Sequence, residues 1–220
     1  MALRTEGLDE RIAESAKEEF MTYGYKDASI NRIAKKAGAT SGAIYIRYKN
    51  KDEIFQALVD PVIKGMEEQI NQYKGRYSAL GRTKSWDALT ELDREIFDWL
   101  IDYMFDHYDA FKLLVCKSDG STVSSFAEDL IQFKFQRTFE FVEKILAPLS
   151  TEKPFPVSRE TLALLSSAQY HSLFEVMHHD YSKAAAKESL HAVRKIYVNG
   201  LRELLKDFIE DNEPGTGRFA

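Results

Sequence analysis

Between Ser29 and Lys51 the chain reads SINRIAKKAGATSGAIYIRYKNK, and this stretch limits what the protein can fold into more than any other. Ile30, Ile33, Ala34 and Ala37 recur at helical spacing up to Gly38. Gly38 stands where a tight turn needs a permissive backbone. Thr40 or Ser41 can then cap a third, shorter helix to about Tyr48. Two short helices joined by a tight turn have the spacing of a helix-turn-helix, whose second helix is placed for a major groove. The stretch holds six basic side chains (Arg32, Lys35, Lys36, Arg47, Lys49, Lys51) and no acidic one, in a chain of 30 basic and 35 acidic residues. Local positive charge on short helices suits a phosphate backbone.

The same periodicity extends along the chain. Leu8, Ile12, Ala16, Phe20 and Tyr23 mark a first helix, with Gly24 as its stop and Ser29 as the cap of the second. Asn50 and Glu53 form a capping-box arrangement for a fourth helix through Ile54, Phe55, Leu58, Val62, Met66 and Ile70. Pro61 should bend or interrupt that helix. The stretch 74–85 reads as a loop or frayed end. Further helices are expected at about 86–107, 109–118, 122–148, 159–179 and 183–211, with a connector over 149–158 and a disordered tail over 212–220. No stretch gives a convincing strand-and-turn series. The expected fold is all-α with about nine helices. A three-helix DNA-binding domain (1–50) precedes a larger helical effector-binding and dimerisation domain (51–211).

Charge follows that division. Residues 1–50 carry nine basic and seven acidic groups, residues 51–220 carry 21 and 28. The one cysteine, Cys116, rules out an intramolecular disulfide and suits a reducing cytosol. The opening segment lacks the apolar core of a secretory signal, and no window is long and apolar enough for a spanning helix. The expectation is a soluble cytoplasmic protein with no membrane partner.

Within the helix-turn-helix, Thr40, Ser41, Gly42 and Ala43 are small enough for close backbone approach to a duplex, and the leading amides can meet a phosphate. Gly42 would otherwise be a costly choice inside a helix. Tyr45 and Tyr48 can reach the sugar-phosphate rail, and Lys51 a second phosphate. Arg47 and Ser41 are the candidates for base edges. Tyr48 can equally be half-buried under the fourth helix.

Residues 9–59 resemble the N-terminal domain of the TetR family of bacterial transcriptional regulators. The resemblance rests on Ile12, Ala16, Phe20, Gly24–Tyr25, Ser29–Ile30, Ile33–Ala34, Ala37–Gly38–Ala39, Thr40, Gly42, Ile44–Tyr45, Tyr48, Lys51 and Ile54–Phe55. It implies a homodimeric, all-helical repressor with two small DNA-binding domains below a larger ligand-binding and dimerisation domain. Tyr45 falls on the family's phosphate-contacting tyrosine, and Lys51 on its contact at the start of the fourth helix. Arg47 stands where a histidine or aromatic is frequent, and Ile46 precedes it, so no operator sequence is carried over. The resemblance also implies that the helices at 159–179 and 183–211 pair with their copies in a partner subunit.

In the larger domain aromatics crowd at Phe97, Trp99, Tyr103, Phe105, Tyr108 and Phe111, and again at Phe126, Phe133, Phe135, Phe139 and Phe141. Most are expected in the core, and some in the wall of a cavity for a small apolar or aromatic effector. Tyr103, His107, Cys116 and His171 are its candidate polar members. His171, Glu175 and His178 or His179 share a helix face but lack an HExxH pattern, and read as dimer seam or cavity wall; no metal or cofactor is implied. Val193, Ile196, Tyr197, Leu201, Leu204, Leu205 and Phe208 form one long apolar stripe, divided between core and interface.

The sequence therefore reads as a ligand-responsive transcriptional regulator, a repressor that binds a palindromic operator as a homodimer. The alternative is a helical protein-interaction module whose basic patch meets an acidic partner. An enzyme is disfavoured: the glycine-containing segments at 38–42 and 117–121 match neither nucleotide-binding spacing, and no nucleophile–base set is evident.

Overall fold

The computed structural model describes residues 7–80, 86–146 and 157–206. Among these residues the fold is all-α, with nine helices: α1 (Leu8–Asp27), α2 (Ile30–Lys36), α3 (Ser41–Tyr45), α4 (Lys51–Leu80), α5 (Trp86–Asp106), α6 (Tyr108–Cys116), α7 (Phe126–Leu146), α8 (Arg159–His178) and α9 (Lys183–Leu204). The expected tail at 212–220, most of the connector at 149–158, and Phe208 lie outside the described residues, and Phe141 outside the described side chains.

The chain divides into two compact units. The first comprises Met1–Glu67 and His107–Ala127, the second Glu68–Asp106 and Glu128–Ala220. The first unit is thus larger than the 1–50 segment read as DNA-binding, because α6 and the turn after it pack with α1. The Tyr25 amide donates to the Lys117 carbonyl at 2.7 Å. Asp52 accepts from the Thr122 amide at 3.0 Å and from its hydroxyl at 2.6 Å. These bonds hold Thr122 in a turn, so α7 begins at Phe126 and not at 122 as its periodicity suggested.

Local signals set most boundaries. Gly24 has φ 72°, a left-handed conformation that breaks the helical path of α1 where the sequence placed its stop. Gly38 turns with φ 66° between α2 and α3. Thr40 caps α3 through its hydroxyl, which accepts from the Ala43 amide at 3.1 Å. Ser29 occupies the N-cap of α2 without a side-chain cap bond; its own amide donates to Glu19 Oε1 at 2.8 Å. Asn50 and Glu53 cap α4, with the Glu53 amide on Asn50 Oδ1 at 2.8 Å and the Lys49 amide on Glu53 Oε2 at 2.6 Å.

The core of the first unit is Ile12, Ala16, Phe20, Ile33, Ala34, Ala37, Ile44, Ile54, Phe55 and Val59. Phe20 meets Phe55 edge-on at 5.0 Å between ring centroids, and Tyr25 packs on both. Tyr23 departs from the expected stripe: it is exposed, with the Arg32 guanidinium 4.2 Å from its ring centroid. The left-handed Gly24 that follows ends the run of helical geometry at that point.

Helix α4 is continuous through Pro61, so no interruption occurs there. It also covers 74–80, which the sequence reading gave as a loop or frayed end. Tertiary partners account for the difference: Arg76 pairs with Glu95 of α5 at 2.7 Å, and Lys74 Nζ lies 5.6 Å from the Phe133 ring of α7. Residues 81–85 of that reading lie outside the described residues.

In the second unit α9 packs on α5 and on α8. Leu92, Ile96, Phe97, Leu100, Ile101 and Met104 of α5 and Leu162, Tyr170, Leu173, Phe174 and Met177 of α8 are buried, with Leu190, Leu201 and Leu205. Ser158 and Ser182 cap α8 and α9 by accepting from the Thr161 and Ala185 amides.

Candidate nucleic-acid interface

The recognition segment is a five-residue helix with one buried apolar side chain, Ile44, anchoring it. Helical geometry then fixes what faces out. Positions 42 and 46 lie on the side opposite Ile44, and position 45 on its flank. Tyr45 is 53 % exposed and Ile46 is 83 % exposed, both high for large apolar side chains. Tyr48 is half-buried.

The remaining polar candidates are engaged within the chain. The Ser41 hydroxyl donates to Asn31 Oδ1 of α2 at 2.6 Å. The Arg47 guanidinium pairs with Asp9 of α1 and donates to the Ala43 carbonyl at 3.2 Å. Lys51 Nζ donates to the carbonyls of Lys26 and Ala28 at 3.0 and 3.2 Å, and sits 4.6 Å from the centroid of the Tyr25 ring. There it satisfies carbonyls at the end of α1 that the helix itself leaves open. Burial, then the nearby Asp52 carboxylate, push the Tyr25 hydroxyl above its ordinary range.

The basic run is therefore less bare than it reads. Arg32 pairs with Glu19 at 2.5 Å, Lys36 with Glu18, and Lys49 with Glu53 at 3.3 Å. The Lys49 amide also holds the Glu53 carboxyl below its usual range. With Asp9, three of the acids come from α1 and one from α4, so reading the run alone could not reveal them. Glu19 is buried, accepting from both the Ser29 amide and the Arg32 guanidinium, and ties α1 to the start of α2.

The effector candidates fall in both units. Tyr103 and His171 belong to the second unit, His107 and Cys116 to the first. Tyr103 stacks on Trp99 at 5.0 Å between ring centroids, with Tyr73 6.2 Å from Trp99. Burial raises the Tyr103 hydroxyl, as does the charge of Glu68. His171 is exposed on α8 and its Nδ1 lies 2.8 Å from the Ser167 carbonyl. His107 is exposed in the N-cap position of α6, and Cys116 is half-buried. His179 pairs with Glu175 at 3.3 Å. Among the described residues no three His, Cys, Asp or Glu side chains converge as metal ligands.

Two features escaped the sequence reading. Gln169 of α8 is 2 % exposed, and among the described residues its buried Nε2 has no hydrogen-bond partner. A buried donor left open is a position to which an acceptor is drawn. A charge ladder joins α5 to α9 in antiparallel order: Lys183 to Asp106 and Asp102, Lys187 to Asp102, His191 to Asp98, and Arg194 to Asp93. The acids at 98, 102 and 106 and the bases at 183, 187 and 191 each recur every four residues, the signal that marks both faces.

Comparison with known proteins bears on this geometry. The model of the bacterial regulatory proteins of the tetR family matches residues 12–58, which run from Ile12 in α1 to Leu58 in α4. The transcriptional regulator SrpR of Pseudomonas putida is 33 % identical over 88 residues, 40 % of this chain and 38 % of that protein. The uncharacterized regulator TtgW, also of Pseudomonas putida, is 34 % identical over 80 residues, 36 % of this chain and 55 % of that protein. The chain thus spans less than two thirds of the length of these curated relatives. A solved Clostridium perfringens protein, described as a fatty acid metabolism regulator, shares the fold with TM-score 0.55 at 17 % identity, over 86 % of this chain and 97 % of that one. The N-terminal helix-turn-helix domain of this chain is thus a TetR-family domain.

Proposed function

We propose that the chain is a ligand-responsive transcriptional repressor that grips a palindromic operator as a homodimer and lets go when a small apolar or aromatic effector binds. The observation that carries the DNA-binding part is the outward face of α3. A helix anchored by Ile44 and capped by Thr40 leaves Tyr45 and Ile46 in solvent, within a domain of the TetR family. Thr40, Ser41, Gly42, Tyr45, Arg47, Tyr48 and Lys51 form the DNA-facing set, Arg47 and Lys51 holding the frame of the domain as well as its charge.

Dimerisation through α8 and α9 is supported by large apolar side chains left in solvent on both helices: Leu164 is 71 % exposed and Ile196 is 75 % exposed. An effector site in the second unit is supported by the open amide of Gln169 and the half-buried Trp99–Tyr103 pair. Helix α4 starts at Lys51 in the first unit and contributes Glu68–Leu80 to the second. It is the element through which an effector would bias the separation of two recognition helices. The coupling then equals the difference in effector affinity between the two arrangements.

The test is a footprint on DNA flanking the protein's own gene, with and without small apolar and aromatic compounds screened for binding to the protein, alongside a mass measurement. The reading expects a two-fold symmetric protected site, loss of protection with a compound that binds, and an intact dimer. Tyr45→Phe should weaken binding to the protected site and to unrelated duplex alike. A monomer with no sequence preference would refute the proposal.

A further inference from the structure

Helix α3 carries an unexplained pair. Gly42 and Ile46 lie one turn apart on its outward face. Gly42 has ordinary helical geometry, and a Cβ placed there would meet only the Thr40 hydroxyl, at an unstrained 3.8 Å. Neither backbone conformation nor internal packing calls for glycine, although glycine destabilises a helix interior. Ile46 is 83 % exposed, the highest exposure of a large hydrophobic residue among the described residues. Next to this pair the polar side chains point elsewhere: Ser41 to Asn31, and Arg47 back onto Asp9 and the Ala43 carbonyl. Beside the exposed Tyr45, what α3 offers outward at Gly42 and Ile46 is a bare backbone followed by a branched hydrocarbon.

A major groove presents one hydrocarbon group, the 5-methyl of thymine, and apolar side chains read it by contact. We infer that Ile46 is a specificity-determining residue that reads a thymine methyl in each operator half-site, with Gly42 keeping the groove wall close enough for it to reach. Arg47 is then a positioning residue: its pair with Asp9 fixes the end of α3 against α1, and so the height at which Ile46 stands. The inference rests on the DNA-binding reading above and adds to it the base and the group recognised.

The experiment enriches a duplex from a random-sequence pool with the full-length protein. Each thymine of that duplex is then replaced singly by deoxyuridine, which removes one methyl and leaves every hydrogen-bonding edge unchanged. Wild type should lose about fourfold in affinity at one thymine per half-site, as for one buried methyl, and about fifteenfold when both half-sites are replaced. Ile46→Ser should bind the thymine duplex more weakly and no longer distinguish the two bases. The side chain is in solvent, so the fold should be unaffected. Arg47→Lys should keep the methyl dependence at reduced affinity. If wild type binds the enriched duplex and tolerates uracil at every position, the inference falls while DNA binding stands. If no duplex is enriched over bulk DNA, the functional reading itself falls and takes the inference with it.

Discussion

Acidic side chains collect basic ones in both compact units, and the two sets differ in what they leave outside. In the first unit Asp9, Glu18 and Glu19 of α1 hold Arg47, Lys36 and Arg32. What remains facing out on α3 is neutral, Tyr45 and Ile46. In the second unit the row of acids on α5 holds the row of bases on α9, rung by rung, leaving Leu164 and Ile196 of α8 and α9 in solvent. Paired charges on half-exposed helices add little stability, since each rung gives up side-chain freedom in high dielectric. They set which face of a helix turns toward its neighbour. The contrast teaches that in this chain ion pairs fix register, while apolar burial supplies the stability.

The strongest way to break that view is to attack burial. Phe20→Ala removes the ring between Tyr25 and Phe55 and should destabilise the protein by about 3–5 kcal/mol in urea unfolding. A change below about 1 kcal/mol would remove the aromatic cluster from its central place. The best-buried rung comes next. The Arg194 side chain is 12 % exposed and donates to Asp93 at 3.2 Å and to the Thr90 carbonyl at 2.5 Å. Arg194→Ala should cost about 2–3 kcal/mol because it strands a shielded carboxylate, whereas Lys183→Ala at an exposed rung should cost far less. Equal losses would erase the distinction between the rungs.

Gln169→Met sharpens the comparison in the opposite direction. Replacing a buried donor that has no partner by an apolar chain of similar volume should raise stability by about 1 kcal/mol, read as a higher thermal midpoint. The same variant should respond less to the effector. The smallest expected effect is in acid. Hydrogen bonds from Lys187 and then Lys183 hold the Asp102 carboxyl below its ordinary range. A depressed folded value means the stabilisation is fully present above about pH 4 and is lost as the pH falls through that lower value. The difference in urea midpoint between wild type and Asp102→Asn should therefore shrink on acidification below that point, from less than about 1 kcal/mol at neutrality. A difference that grew in acid would have the wrong sign for this pair.

Much of the fold was legible because it depends on neighbours three or four residues away. The inner stripe Leu8, Ile12, Ala16 and Phe20, the turn at Gly38, the Thr40 cap and the Asn50–Glu53 cap all follow from local spacing. Less of the candidate site was legible. Ser41 and Arg47 look like free hydrogen-bond donors in the sequence, and both bond within the chain to residues 10 and 38 positions away. Ile46 drew notice only as a departure from the family's pattern, because exposure is a property of the assembled surface. Gln169 gave no signal, since a glutamine in a helix reads as a solvated residue until its neighbours are known.

The sequence alone determined where most helices form, where the capped ones begin and which family's helix-turn-helix the first of them build, since backbone geometry and capping act over one or two turns. Tertiary structure decided which members of each apolar stripe are core. Along α9, Leu201 and Leu205 turn inward while Ile196 and Leu204 stay in solvent, although all four belong to one stripe in the sequence. It also decided which charges are paired, through partners as far apart as Asp93 and Arg194. Periodicity defines a face; only packing against another helix defines what that face meets.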